Sequence, residues 1–160
     1  MREYKRPITS TEAKRSLKAL DILSGKAENS DAAIMSHHKK EQHESKIQQK
    51  LFEWANLTAG RYPELRLMFH IANGGRRDII EAAHLKQQGV KAGVPDICLP
   101  VPRSGCHGLY IELKAEGGRL QDTQRTWLDD LSKQGYKTVI AYGFDEARQA
   151  IENYLKGESI

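Results

Sequence analysis

Cysteine is scarce in this sequence: Cys98 and Cys106 are the whole supply in 160 residues. Two thiols in one chain make neither a disulfide scaffold nor a four-thiolate zinc site, so both are expected to be reduced. Long apolar runs are missing too. Nothing approaches the roughly 20 apolar residues that cross a bilayer, which argues against a membrane span. The opening MREYKRPITS lacks the apolar stretch and small-residue cleavage site of a secretory signal, so a cytoplasmic protein is expected. Aromatic residues make up 7% of the chain without interleaving with basic ones. A stacking platform for single strands is therefore not expected, and Trp54 and Trp127 fit helix cores. No internal repeat occurs.

An overall excess of one charge is also nearly absent. The net charge is +4, and residues 1–50 hold 11 Lys/Arg against 7 Asp/Glu while residues 51–160 hold 14 of each. A basic first third suits a phosphate-binding arm, and it suits a solubilising tail equally well. Net charge alone therefore does not argue for a nucleic-acid partner. His37, His38 and His43 have no accompanying cysteine pair or zinc-type spacing and read as a solvated polar segment.

What is present is a pattern. Residues 1–42 read as an extension, with a short helix capped at Ser10-Thr11-Glu12 and then a linker, and residues 43–160 as one domain. Ile47, Leu51, Trp54 and Leu57 recur at spacings of three and four, predicting a helix that ends at Gly60. RLMFHIAN reads as a strand stopped by NGG. RRDIIEAAHLKQQG follows as a helix with Ile79, Ile80, Ala83 and Leu85 inward and Gly89 as its stop. VPDICLPV and GLYIELK predict a hairpin turning near Ser104-Gly105. A helix with Trp127, Leu128 and Leu131 buried, a strand over YKTVIAYG and a final helix with Ala147, Ala150, Ile151 and Leu155 inward complete the chain. The order predicts an α/β fold: a mixed sheet flanked by helices.

The chemistry gathers on the hairpin. Side chains two apart on a strand share a face, so Glu112 and Lys114 project together while Leu113 points away. Pairing outward from Ser104-Gly105 sets Asp96 opposite about residue 113, beside both. Two carboxylates converging at a strand end suit Mg²⁺ or Mn²⁺, which take hard oxygen ligands. A lysine beside them suits orienting or deprotonating a water, or holding a phosphate and stabilising its developing charge. A cross-strand ion pair without catalysis is the plain alternative for any one of these pairs.

GVPD, IELK sixteen residues after the aspartate, and GGRLQDTQ together resemble the motifs of the PD-(D/E)XK nuclease superfamily, and within it the VRR-NUC family. The resemblance runs over about residues 43–155 and implies a restriction-endonuclease-like fold. By that resemblance Asp96 and Glu112 are metal ligands, Lys114 is the catalytic lysine and Gln124 is the helix glutamine near the site. Glu44 matches the acidic residue of the family's first helix, with Glu53 as its rival. Asn73 matches an asparagine before the glycine turn, which a turn-forming Asn explains equally well. Arg76, Arg77, Lys86, Lys91, Arg119 and Arg125 flank the site segments and are candidates for DNA contacts.

The resemblance further implies a Mg²⁺/Mn²⁺-dependent DNA endonuclease needing no nucleotide cofactor. Compact members of this kind act on branched DNA such as Holliday junctions as homodimers, in replication, recombination or repair. The rival readings are a nuclease of flaps, nicks or linear ends, and a non-catalytic DNA-binding or assembly protein on the same fold.

Overall fold

The computed structural model describes residues 35, 39, 42–72 and 84–158. The chain divides into a unit Met1–Glu41 and a unit Gln42–Ile160, and the second carries the sheet. The helix expected at Ser10 and most of the helix expected after NGG, with Ile79, Ile80 and Ala83, lie outside the described residues.

Helix α1 covers residues 42–58. Its buried face is Ile47, Leu51 and Ala55, one turn apart, with Trp54 partly buried beside them. Leu57, expected inward, is 88% exposed. The face that packs advances by four from Leu51 to Ala55, and two residues on from Ala55 the helix has turned by about 200°.

The strand expected over RLMFHIAN is replaced at its start by a 3-10 turn, Pro63–Leu67, and only Phe69–His70 (β1) joins the sheet. Pro63, with its fixed φ and missing N–H, opens the turn. Leu65 and Met68 then go inward at the three-residue spacing of that turn, and the Met68 N–H donates to Leu65 O at 3.1 Å. Residues 84–87 (α2) are helical and stop at Gly89, which has φ +96°.

β2 (Ile97–Leu99) and β3 (Leu109–Lys114) form the expected hairpin, and β1 pairs antiparallel with β2. Helix α3 (Asp122–Lys133) then crosses over so that β4 (Lys137–Tyr142) lies parallel to β3, giving the order β1-β2-β3-β4. Leu128 is the buried residue of α3, while Trp127 and Leu131 are only partly covered. α4 (Phe144–Lys156) closes the unit, burying Ala147, Ala150, Ile151, Tyr154 and Leu155. The mixed sheet with flanking helices is the expected α/β architecture.

The hairpin departs from expectation by one residue. Its tip turns at Ser104 (φ +49°) and Gly105 (φ +82°), with Arg103 and Cys106 exchanging both backbone hydrogen bonds. Between that pair and Leu99↔Leu109, however, residues 100–102 face only residues 107 and 108. The surplus residue is taken up where the Val101 N–H turns back to Leu99 O at 2.9 Å. Pro100 and Pro102 have no N–H to lose there. Opposite, Gly108 lies so close that a Cβ would sit 3.0 Å from Leu99 O. The strands therefore pair Ile97 with Ile111, and one step further on Asp96 stands opposite Glu112, not about residue 113.

Candidate active site

That one-residue difference decides which face Asp96 joins. Residues directly opposed in an antiparallel pair share a face, and a slip of one exchanges faces. Opposite Leu113, the Asp96 side chain would turn with Leu113 toward the apolar side; opposite Glu112, it turns with Glu112. Leu113 is still its neighbour through the backbone: its N–H donates to Asp96 Oδ2 at 2.8 Å. The Asp96 backbone oxygen accepts from the Ile71 N–H at 2.8 Å and from His70 Nδ1 at 2.9 Å, which makes Nδ1 the protonated ring nitrogen in that contact. His70 carries no sequence signal for this position, because the bond goes to a backbone atom that any residue at position 96 would present.

Glu112 has no exposed surface and Lys114 is 6% exposed, the two buried charged residues among those described. Lys114 Nζ donates to Glu112 Oε1 at 2.7 Å, and Gln124 Nε2 donates to the same oxygen. Glu112 Oε2 is buried with no hydrogen-bond partner among the described residues. Burial, reinforced by the Asp96 charge, pushes the Glu112 carboxyl up to about 7, against the pull of Lys114. Burial also raises Asp96, opposed by the Leu113 N–H and the Lys114 charge.

Gln124 reaches the site because it is the third residue of α3. Its Oε1 accepts the Gln121 N–H at 2.9 Å, one half of a capping box, and its amide nitrogen is thereby turned toward Glu112. Glu44 Oε1 accepts the Ala115 N–H at 3.2 Å, just beyond the end of β3. Glu44 lies on the Ile47–Leu51 face of α1. Glu53, nine residues on, points about 180° away and is exposed. The structure thus brings Glu44, and not Glu53, to the site.

Lys91, Arg119 and Arg125 are exposed, and so is Lys86. Arg119 and Arg125 flank the start of α3, and Lys91 Nζ lies 5.8 Å from the centre of the Trp127 ring. Arg76, Arg77 and Asn73 lie outside the described residues, as do His37 and His38; His43 is exposed.

The donor set is hard oxygen: the Asp96 carboxylate and a buried Glu112 oxygen that none of the described residues satisfies, with Glu44 beyond them. An orphaned buried carboxylate oxygen costs free energy unless a cation or proton meets it, so the residues fit a divalent ion. Among the described residues no group of three or more His, Cys, Asp or Glu side chains is placed to hold a metal ion, so the carboxylate pair would have to serve alone. Mg²⁺, which is commonly held by one or two carboxylates and keeps several waters, does not require a third.

A family model for the VRR-NUC domain matches residues 25–145. It begins inside the stretch expected to lie outside the resemblance, upstream of residue 43. Among solved structures, a VRR_NUC domain protein is similar at a TM-score of 0.62 and 29% identity, covering 73% of this chain and 91% of that one. No protein of curated function matches. With more than half of the chain matched by the family model, and with the sheet and its flanking helices shared with that structure, the chain belongs to the VRR-NUC family of nucleases within the PD-(D/E)XK superfamily.

Proposed function

We propose that this chain is a divalent-metal-dependent DNA endonuclease that hydrolyses phosphodiester bonds, with branched DNA such as Holliday junctions as its substrate. The observation that carries the reading is Glu112 Oε2, buried and unsatisfied on the face it shares with Asp96 and within two residues of Lys114. A purely structural ion pair would be expected to satisfy both carboxylate oxygens. Asp96 and Glu112 would hold Mg²⁺ or Mn²⁺, with Glu44 acting through water. When bound, the cation supplies hydroxide near neutral pH and offsets charge building on the phosphoryl oxygens.

The remaining work falls to the chain itself. Lys114, donating to Glu112, keeps an ammonium group where the scissile phosphate gathers negative charge. Gln124 holds the Glu112 carboxylate by one oxygen, which leaves the other for the cation. Lys91, Arg119 and Arg125 contact flanking phosphates, with Arg76 and Arg77 as further candidates, and such contacts position DNA without reading its sequence. Action as a homodimer would supply one site for each of two cuts, in replication, recombination or repair inside the cell.

Cleavage of matched duplex, single-stranded, flap and four-way-junction DNA with Mg²⁺ or Mn²⁺ tests this directly. Junction cleavage by the wild type and its loss in Lys114→Ala are expected. Preference for flaps or ends would move the substrate to the rival nuclease class. Junction binding without cleavage under either metal would leave a DNA-binding scaffold.

A further inference from the structure

Asp96 ends a short segment, residues 91–96, whose other contacts converge on α3. The Trp127 Nε1–H donates to Ala92 O at 3.1 Å, and Lys91 Nζ lies over the same indole. Gly93, at φ +84°, approaches α3 so closely that an added Cβ would sit 2.8 Å from the backbone carbon of Thr123. Pro95, fully buried and with φ fixed by its ring, stiffens the link from Gly93 to Asp96. At the other end, His70 of β1 and Ile71 just beyond it pin the Asp96 carbonyl. The same helix carries Gln124, which holds Glu112. α3 therefore supports both carboxylates, one through a side chain and the other through residues 92–95.

We propose that Trp127 is a positioning residue: by holding the Ala92 carbonyl, its indole N–H sets where the Asp96 carboxylate lies against Leu113 and Glu112. The consequence for catalysis rests on the nuclease reading; the placement of Asp96 does not. Indole nitrogen is a donor only, and its bond to a backbone carbonyl fixes the chain at a point four residues before Asp96. The tie runs from the middle of α3, so it transmits the position of the helix as a whole. A segment fastened at Ala92 and Gly93, stiffened at Pro95 and fastened again at Asp96 has little freedom to swing the carboxylate.

The placement can be read in the metal-free protein without DNA. The Leu113 N–H is held by Asp96, whereas the Ala115 N–H is held by Glu44 and serves as an internal control. In Trp127→Phe, which keeps a ring under Lys91 and removes the N–H, hydrogen exchange at Leu113 is expected to become about tenfold faster, with Ala115 unchanged. Gly93→Ala, which strikes the same segment at its other contact with α3, is expected to give the same pattern. An unchanged Leu113, or equal acceleration at Leu113 and Ala115, overturns the proposal. In Mg²⁺-supported DNA cleavage, Trp127→Phe is expected to lower kcat by about 10- to 100-fold with KM unchanged. Wild-type kcat in that variant overturns the catalytic consequence. A wild type that cleaves no DNA refutes the nuclease reading instead, and the amide comparison still decides the role of Trp127.

Discussion

Gln124 and Glu112 are joined by a hydrogen bond that occupies one oxygen of the buried carboxylate, while the other has no partner among the described residues. The same glutamine caps the first turn of α3 through its own oxygen. Cap and site can be separated by substitution. Gln124→Ala removes both functions and should destabilise the fold by about 1 kcal/mol through the lost cap alone. Gln124→Glu keeps the cap acceptor and sets a like charge against Glu112. Hydrogen exchange at the Gln121 amide should therefore stay slow in Gln124→Glu and quicken in Gln124→Ala, while DNA cleavage falls in both variants. Full cleavage by Gln124→Ala would remove Gln124 from the site.

Lys114 offers the most direct test of charge stabilisation. Lys114→Ala should lower Mg²⁺-dependent DNA cleavage by about 10²- to 10³-fold, with the circular dichroism spectrum kept. Lys114→Arg should not restore activity, because a planar guanidinium does not present its charge as an ammonium does. Wild-type rates in Lys114→Ala would exclude the lysine from the chemistry.

The raised carboxyl of Glu112 makes stability depend on pH with a defined sign. The group titrates near 4.5 in the unfolded chain and at about 7 in the folded one. Between these values the folded state keeps a proton that the unfolded state has lost. The stability contributed is present in full below the unfolded value and falls as pH rises toward the folded one, by up to about 3 kcal/mol. The melting temperature of the metal-free protein should decline over that interval, and Glu112→Gln should flatten the decline. An identical slope in both proteins would assign the titration to other groups.

A cation that meets Glu112 Oε2 should raise the melting temperature, because it binds the folded chain in preference to the unfolded one. Mn²⁺ at a hundred times its dissociation constant would add about 2.7 kcal/mol. The gain should reverse with a chelator and be lost in Glu112→Gln and Asp96→Asn. An equal gain in those variants would place the cation elsewhere.

The phase of α1 can be checked by stability alone. Leu51→Ala should cost about 2–5 kcal/mol, as for other fully buried leucines, whereas Leu57→Gln should stay within about 0.5 kcal/mol. A large loss at Leu57 would mean that its face is covered.

These contrasts also mark what the sequence made legible. α3, β3, β4 and α4 follow from long periodic runs with glycine stops, and strand geometry sets Glu112 and Lys114 on one face, whereas a regular hairpin counted from Ser104-Gly105 turns Asp96 to the opposite one. Leu57 misled because it lies three residues beyond Trp54, at helical spacing, while the packed row runs through Ala55, whose small side chain gives a weak signal. The strand around Phe69 is shorter than its sequence pattern suggests because leucine and methionine satisfy a tight turn as readily as a strand. His70 was invisible because its partner is a backbone atom, and Trp127 looked like an ordinary core residue because nothing in a helix pattern reveals where an indole nitrogen points.

The three residues 100–102, set against two on the opposite strand, carry the hairpin's odd residue without moving the register of the site. Changes of length at the Ser104-Gly105 tip that add residues in facing pairs would leave Asp96 on the side of Glu112. Losing one residue between Leu99 and Arg103 would set two against two, a regular ladder that still pairs Leu99 with Leu109 and keeps the aspartate beside Glu112. Relatives can therefore shorten this hairpin by its surplus residue and still hold both carboxylates on one face.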